Sequence, residues 1–278
     1  GDAVMTCTPV YPPFLSAPVW QGKELITSHL KLEDGRWTFD FDDLEAKVTP
    51  RTRVFILCSP HNPVGRVYTR EELEGIAAFC LRHDLILCSD EIHCDLLFGD
   101  SKHILTATLS KEIEQRTITL MAPSKTYNLP GLCCAYAIIA NPKLKAKFAL
   151  AARGFITEVN CFGYAACAAA YNHGEPWRKE LMAYLTANRD ALYQFLDTKL
   201  PEIKVWPMEA TYLAWLNVEG LHALGCENPH KLFEDFGVGL SPGADFRDKN
   251  FVRLNFGCTR ATLEEAFVRM EKAVASLR

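Results

Sequence analysis

Hydrophobic residues in this chain fall in short unbroken runs through the first half and at helical spacing through the second. Arg53-Val54-Phe55-Ile56-Leu57-Cys58 is the clearest run. Its length, its β-branched residues and the turn residues after it predict a central parallel strand buried on both faces. Runs over 84–89 and 116–121 predict two more strands, and a further apolar run covers 132–140. The opening residues, Gly1 to Cys7, predict a turn feeding a buried strand. The prolines of Thr8-Pro9-Val10-Tyr11-Pro12-Pro13-Phe14 predict that this strand gives way to a loop. A strand and turn are expected over 23–32, and Asp34-Gly35-Arg36-Trp37 is a turn signal. Asp40 is placed to cap a short helix over 40–48. Thr69-Arg70-Glu71-Glu72 is a capping box, opening a helix to about Arg82 with Leu73, Ile76, Ala77 and Cys80 on one face. Strands and helices thus alternate to Ala140, which predicts a mostly parallel α/β sheet.

From Pro142 the pattern turns helical, over 144–153 and an alanine-rich 161–171. Asn172-His173-Gly174-Glu175-Pro176 breaks it, and a long amphipathic helix follows over 177–200. Strands over 203–206, 211–216 and 251–256 and helices over 229–236 and 262–277 complete an α+β half. The expected division is a large domain over 1–172 and a small C-terminal domain over 173–278. The chain opens straight into a buried strand, so we expect it to start inside a domain, with the N-terminal part of the large domain missing.

With 278 residues, 49% hydrophobic and 23% charged, the chain has ample core material for such a fold. A net charge of -4 gives no sign of nucleic-acid binding, and no apolar run reaches the length of a membrane span. Most of the 11 cysteines lie inside apolar runs and none forms a Cys-x-x-Cys pair. That usage points to reduced thiols in a cytoplasmic protein, and away from a disulfide framework or a zinc site.

Candidate chemistry sits at the ends of the predicted strands, the edge where open α/β sheets place their ligands. Lys125 follows the strand over 116–121 through a small-residue turn. Desolvation there would favour the neutral, nucleophilic amine, able to form a Schiff base with pyridoxal phosphate; the alternative is an exposed turn lysine. Asp90 lies just past another buried strand. A carboxylate there is costly unless it meets a cation such as a pyridinium nitrogen; it could also bind a metal or cap a helix. Asn62, fixed between Pro60 and Pro63, is either a ligand donor or a turn residue holding its own backbone. Arg253 interrupts an apolar strand and needs an anion, either a ligand carboxylate or an acid such as Asp245. Tyr11 could stack on a flat ring or pack under its own loop. His93 by itself reads as a loop histidine.

Four motifs occur in order: Asn-Pro-x-Gly (Asn62 to Gly65), Ser-Asp-Glu-Ile (Ser89 to Ile92), Ser-Lys (Ser124, Lys125) and Arg-Leu-Asn (Arg253 to Asn255). Together they resemble the class I/II aminotransferase family of pyridoxal-phosphate enzymes, fold type I, and more closely its C–S lyase branch of the cystathionine β-lyase and cysteine desulfhydrase type. The resemblance implies that Lys125 carries the cofactor and moves protons. It further implies that Asp90 holds the pyridine nitrogen protonated, Asn62 donates to the ring hydroxyl, Tyr11 stacks on the ring, Ser124 touches the phosphate and Arg253 clamps the substrate α-carboxylate. His93 stands where a typical aminotransferase has a cofactor-contacting tyrosine, Ala122 where it has a hydroxyl residue and Cys133 where it has a phosphate-binding arginine. The lyase branch tolerates all three.

The implied activity is β-cleavage of cystathionine, cysteine or a related cysteine S-conjugate to a thiol, pyruvate and ammonia. The alternatives are an amino-acid aminotransferase using the same residues and a non-catalytic regulatory binding protein of this fold. The resemblance also implies a homodimer with an amino-acid substrate. Part of the phosphate site would lie on an upstream segment, so the chain expressed alone is expected to bind the cofactor weakly.

Overall fold

The computed structural model describes residues 2–156 and 158–278; the turn expected from Gly1 begins outside them. The first half runs β1 (Ala3–Thr8), α1 (Pro12–Trp20), β2 (Glu24–His29), a hairpin of β3 (Lys31–Glu33) and β4 (Arg36–Thr38), α2 (Phe41–Lys47), β5 (Thr52–Cys58), α3 (Arg70–Arg82), β6 (Ile86–Asp90), α4 (Lys111–Glu114), β7 (Thr117–Met121) and β8 (Tyr136–Ile138). The second half runs α5 (Pro142–Ala152), α6 (Cys161–His173), α7 (Glu175–Lys199), β9 (Lys204–Val205), β10 (Leu213–Asn217), α8 (Pro229–Asp235), β11 (Ser241–Pro242), β12 (Phe251–Asn255) and α9 (Arg260–Ala275).

The main sheet has the order β2-β1-β5-β6-β7-β8, parallel except for β8, which pairs antiparallel with β7. A second, antiparallel sheet has the order β11-β12-β10-β9. No helix among the described residues is long and apolar enough to cross a membrane. The predicted caps form. Asp40 accepts from the Asp43 amide, and Thr69 and Glu72 close a reciprocal capping box at the start of α3.

Three expectations need correcting. Pro12 and Pro13 do not prolong a loop but open α1, because proline's fixed φ and missing N–H suit the first helical turn. The central strands are fully buried on one face only. Phe55, Leu57 and Leu87 pack with Leu73, Ile76 and Phe79 of α3, whereas Val54, Ile56, Cys88, Ile118 and Leu120 are half-buried. The helix α5 buries no side chain and α6 little beyond Gly163 and Ala170. The break over 172–176 contracts to a joint at Gly174, which ends α6 and caps α7. A Cβ at Gly174 would lie 2.4 Å from the Ala170 carbonyl oxygen and 2.5 Å from the Tyr127 ring. The two helices therefore turn tightly over the segment that carries Lys125.

One core lies between α3 and the main sheet. A second, built from residues such as Leu192, Leu196, Leu216, Leu254 and Met270, lies around α7, α9 and the antiparallel sheet. The two meet where Trp215 stacks on Phe251 (ring centres 5.0 Å apart) beside Trp37. A buried cation adds a second tie. Arg66, 2% exposed, donates to Glu209 (2.9 Å), Glu72 (2.6 Å) and the Trp37 carbonyl (2.6 Å). Glu209 also accepts from the Val67 amide. The loop bearing Asn62 is thus pinned to the approach to β10. Arg66→Ala would leave these carboxylates without their buried partner and is expected to cost about 3 kcal/mol of stability. A denaturant titration checks this; a loss under about 1 kcal/mol would show the network to be energetically idle.

Candidate active site

Strands β1, β5, β6 and β7 run parallel, so the segments leaving them open at one edge of the sheet. A cavity of about 390 Å³ lies there, lined by Tyr11, Asn62, Asp90, His93, Ser124, Lys125 and Arg253 together with Cys58, Ile92, Tyr212, Leu213 and Asn255. All seven residues singled out in the sequence therefore line one space, of the size that holds small ligands.

Asp90 ends β6 on the half-covered face. Its only side-chain hydrogen bond among the described residues is the one it accepts from the Ile92 amide, 3.1 Å, and it has no ion pair there. Burial pushes its pKa up to about 6, opposed by that amide and by the charge of Lys125. The neighbouring Glu91 is fully buried elsewhere, against His103 (2.6 Å), Ser89 (2.8 Å) and the Thr106 amide (3.1 Å). Of the two adjacent acids, one is satisfied by protein and the other is left for a cation to approach. No cluster of three metal-ligating side chains occurs among the described residues.

Lys125 is half-buried in the turn after β7 and is not the exposed turn lysine of the alternative reading. Its segment is held by hydrogen bonds from the Tyr127 amide to the Pro123 carbonyl and from the Leu129 amide to the Ser124 carbonyl. Thr126, buried, donates to Asp95 at 3.2 Å.

Arg253, at the middle of β12, does not pair with Asp245, which is exposed. It donates to Asn62 Oδ1 (3.1 Å) and Ser241 Oγ (3.2 Å), lies over the Phe246 ring (4.8 Å), and keeps its buried Nε without a partner. Because a guanidinium can only donate, the Asn62 atom facing it must be oxygen. Nδ2 is therefore left as the free donor, and Asn62 is not spent on its own turn. Its backbone is steadied by Cys58, whose sulfur accepts from the Asn62 amide at 3.4 Å.

His93 is buried with Nδ1 unpartnered, so it is not a loop histidine satisfied by its surroundings. Burial, reinforced by Lys125 and Arg253, drives its pKa down to about 3 and keeps the ring neutral. Tyr11, 38% exposed, meets Phe14 edge-on while also lining the cavity. Tyr212 was read in the sequence only as a strand residue. It lines the cavity, edge-on to His93, because Thr211 before it adopts φ 72, which is unusual for a β-branched residue. No sequence signal marks that turn.

The model of the aminotransferase class I and II family matches residues 1–270. The chain belongs to that family. Among its relatives it is 37% identical to the cystathionine beta-lyase PatB of Bacillus subtilis, covering 99% of this chain and 72% of that protein. The solved structure of OvoB superposes with a TM-score of 0.94 at 43% identity, over 99% of this chain and 72% of that one. Cystalysin from Treponema denticola, whose structure contains pyridoxal 5'-phosphate, superposes with a TM-score of 0.93 at 32% identity, over 100% and 72%. The family's cofactor fits this cavity on its own chemistry. An acid with no ion pair among the described residues, an amine, an amide donor, a hydroxyl at Ser124 and an unsatisfied guanidinium nitrogen line a space large enough for a ring and an amino acid.

Proposed function

We propose that the protein is a pyridoxal-phosphate-dependent carbon–sulfur β-lyase that cleaves a cysteine S-conjugate. The observation that carries this reading is Asp90, a half-buried carboxyl with no ion pair among the described residues, in one cavity with Lys125 and an incompletely paired Arg253. The relatives named above as cystathionine β-lyase and the cofactor-bound cystalysin support it.

Bound there, the cofactor supplies an electron sink conjugated to the substrate Cα. Arg253 binds the substrate α-carboxylate through donors not engaged by Asn62 and Ser241. The Lys125 amine, once free, takes the Cα proton as general base. Asp90, ionised, would hold a proton on the ring nitrogen, and Asn62 Nδ2 would donate to the ring hydroxyl. Ser124 would contact the phosphate and Tyr11 would offer an aromatic face to the ring. His93, neutral, can donate or accept beside them without adding charge. The Cβ–S bond breaks with its electrons leaving on sulfur, and water completes the conversion of the remaining fragment to pyruvate and ammonia.

Two further features belong to this reading. Exposed apolar side chains at Leu150, Phe155, Ile156, Phe162 and Tyr164 support a homodimer, since so much apolar surface on one stretch is unusual for a free monomer. The 11 unpaired cysteines support a reducing, cytoplasmic setting.

Incubation with cystathionine, cysteine and an amino acid plus keto acid tests the activity. Pyruvate and thiol in equal amounts are expected, with turnover of the sulfur substrates at least tenfold above amino transfer. A new amino acid without thiol release would make the protein an aminotransferase, and no turnover of any kind by the cofactor-loaded protein would leave it a binding protein.

A further inference from the structure

The loops after β1 and β5, which carry Tyr11 and Asn62, come from adjacent parallel strands. One buried side chain joins them. His61, 1% exposed, has Nε2 at 2.8 Å from the Pro9 carbonyl oxygen and Nδ1 at 2.8 Å from the Tyr68 hydroxyl. The carbonyl can only accept, so Nε2 carries the proton; Nδ1 must then accept, and Tyr68 donates. The chain of bonds therefore has a single direction. Tyr68 is itself immobilised, 1% exposed and stacked on Phe39 at 4.2 Å. Burial, with the Arg66 charge adding to it, lowers the His61 pKa to about 4, so the imidazole stays neutral and the pattern holds at ordinary pH. The His61 backbone is fixed as well, its amide donating to the Arg66 carbonyl (2.9 Å) and its carbonyl accepting from the Gly65 amide (2.8 Å).

We infer that His61 is a positioning residue: its neutral imidazole clamps the Pro9 carbonyl, and so the Tyr11 segment, to the Asn62 loop and sets the width of the cavity between them. Pro9 stands two residues before Tyr11, and His61 immediately precedes Asn62. The imidazole bonds to protein on both sides and does not line the cavity. Without it, the Tyr11 segment would lose this hydrogen bond to the β5 side and keep the packing of Val10 with Cys58, while Asn62 would keep its own bonds to Arg253 and Cys58.

The test uses hydrogen exchange first and cofactor affinity second. Only the second measurement rests on the proposed cofactor, so failure of that proposal leaves the first readout intact. In His61→Leu, the amides over 8–14, those of Thr8, Val10, Tyr11 and Phe14, are expected to exchange at least tenfold faster than in the parent, with exchange in α3 and α9 unchanged. Pyridoxal phosphate should bind about tenfold more weakly. In case His61→Leu fails to fold, two polar variants separate the bonds. His61→Gln can place its amide N–H near the Nε2 position and should keep 8–14 protected. His61→Asn can reach only toward the Nδ1 position and should not. Equal protection of 8–14 in His61→Gln and His61→Asn, or parent-like protection in a folded His61→Leu, overturns the inference.

Discussion

Lys125→Ala is expected to lower C–S cleavage by about 10⁴-fold, the largest effect of any single change in the cavity. It removes the amine that attacks the cofactor and the base that takes the Cα proton, and losing a positioned base costs about 10²–10⁴-fold even without the covalent role. The expected pattern has two parts. Borohydride should fix pyridoxal phosphate covalently to the parent protein at Lys125 and not to the variant. Added small amines should restore a fraction of the variant's turnover, because the cavity stays open at its mouth and the rest of its lining is unchanged. Covalent trapping that persists in Lys125→Ala, located by peptide mapping, would place the attachment elsewhere.

Asp90→Asn is expected to separate activity from stability. Turnover should fall by about 10²–10³-fold, since a neutral amide cannot hold the ring nitrogen protonated as negative charge develops. The cofactor-free protein should move the other way. In the folded chain burial raises the Asp90 pKa to about 6, above the ordinary carboxylate value of 3.8. Folding therefore binds a proton more tightly, and the desolvated carboxylate is a cost fully present above pH 6. That cost fades as pH falls through the interval and is absent below pH 4. At pH 8 the variant should be more stable than the parent by up to about 3 kcal/mol, with no difference near pH 3.5. Bound cofactor should erase the advantage by giving the parent carboxylate its cation. Denaturant titrations at the two pH values, with and without pyridoxal phosphate, check this; a variant less stable than the parent at pH 8 would mean that Asp90 already has its counter-charge within the protein.

The same physics explains which parts of the site are legible in the sequence. Asn62, Asp90 and Lys125 were legible because each is polar in a place where the pattern of apolar runs demands otherwise. Parallel strands then leave no choice of edge, so three strand ends bring three residues together. Arg253 was legible as a cation inside an apolar strand, although its partner was not. Local signals of the same kind announced the capping box at Thr69 and the cap at Asp40, whose interactions span only three residues.

The rest was decided between segments far apart in sequence. Nothing local distinguishes Arg253 facing Asp245 from Arg253 facing Asn62; only the seating of the antiparallel sheet against the main one settles it. No sequence pattern marks Arg66, because its partners Trp37 and Glu209 lie 29 and 143 residues away from it. Tyr212 reaches the cavity through a backbone turn at Thr211 that the residue's own preference opposes, so tertiary packing must impose it. Hydrophobic spacing by itself determined the α/β class, the sheet's open edge and three of the residues on it. The tertiary structure alone decided which polar atoms stay unpaired there, because a hydrogen bond depends on the position of both partners and a sequence states only their identity.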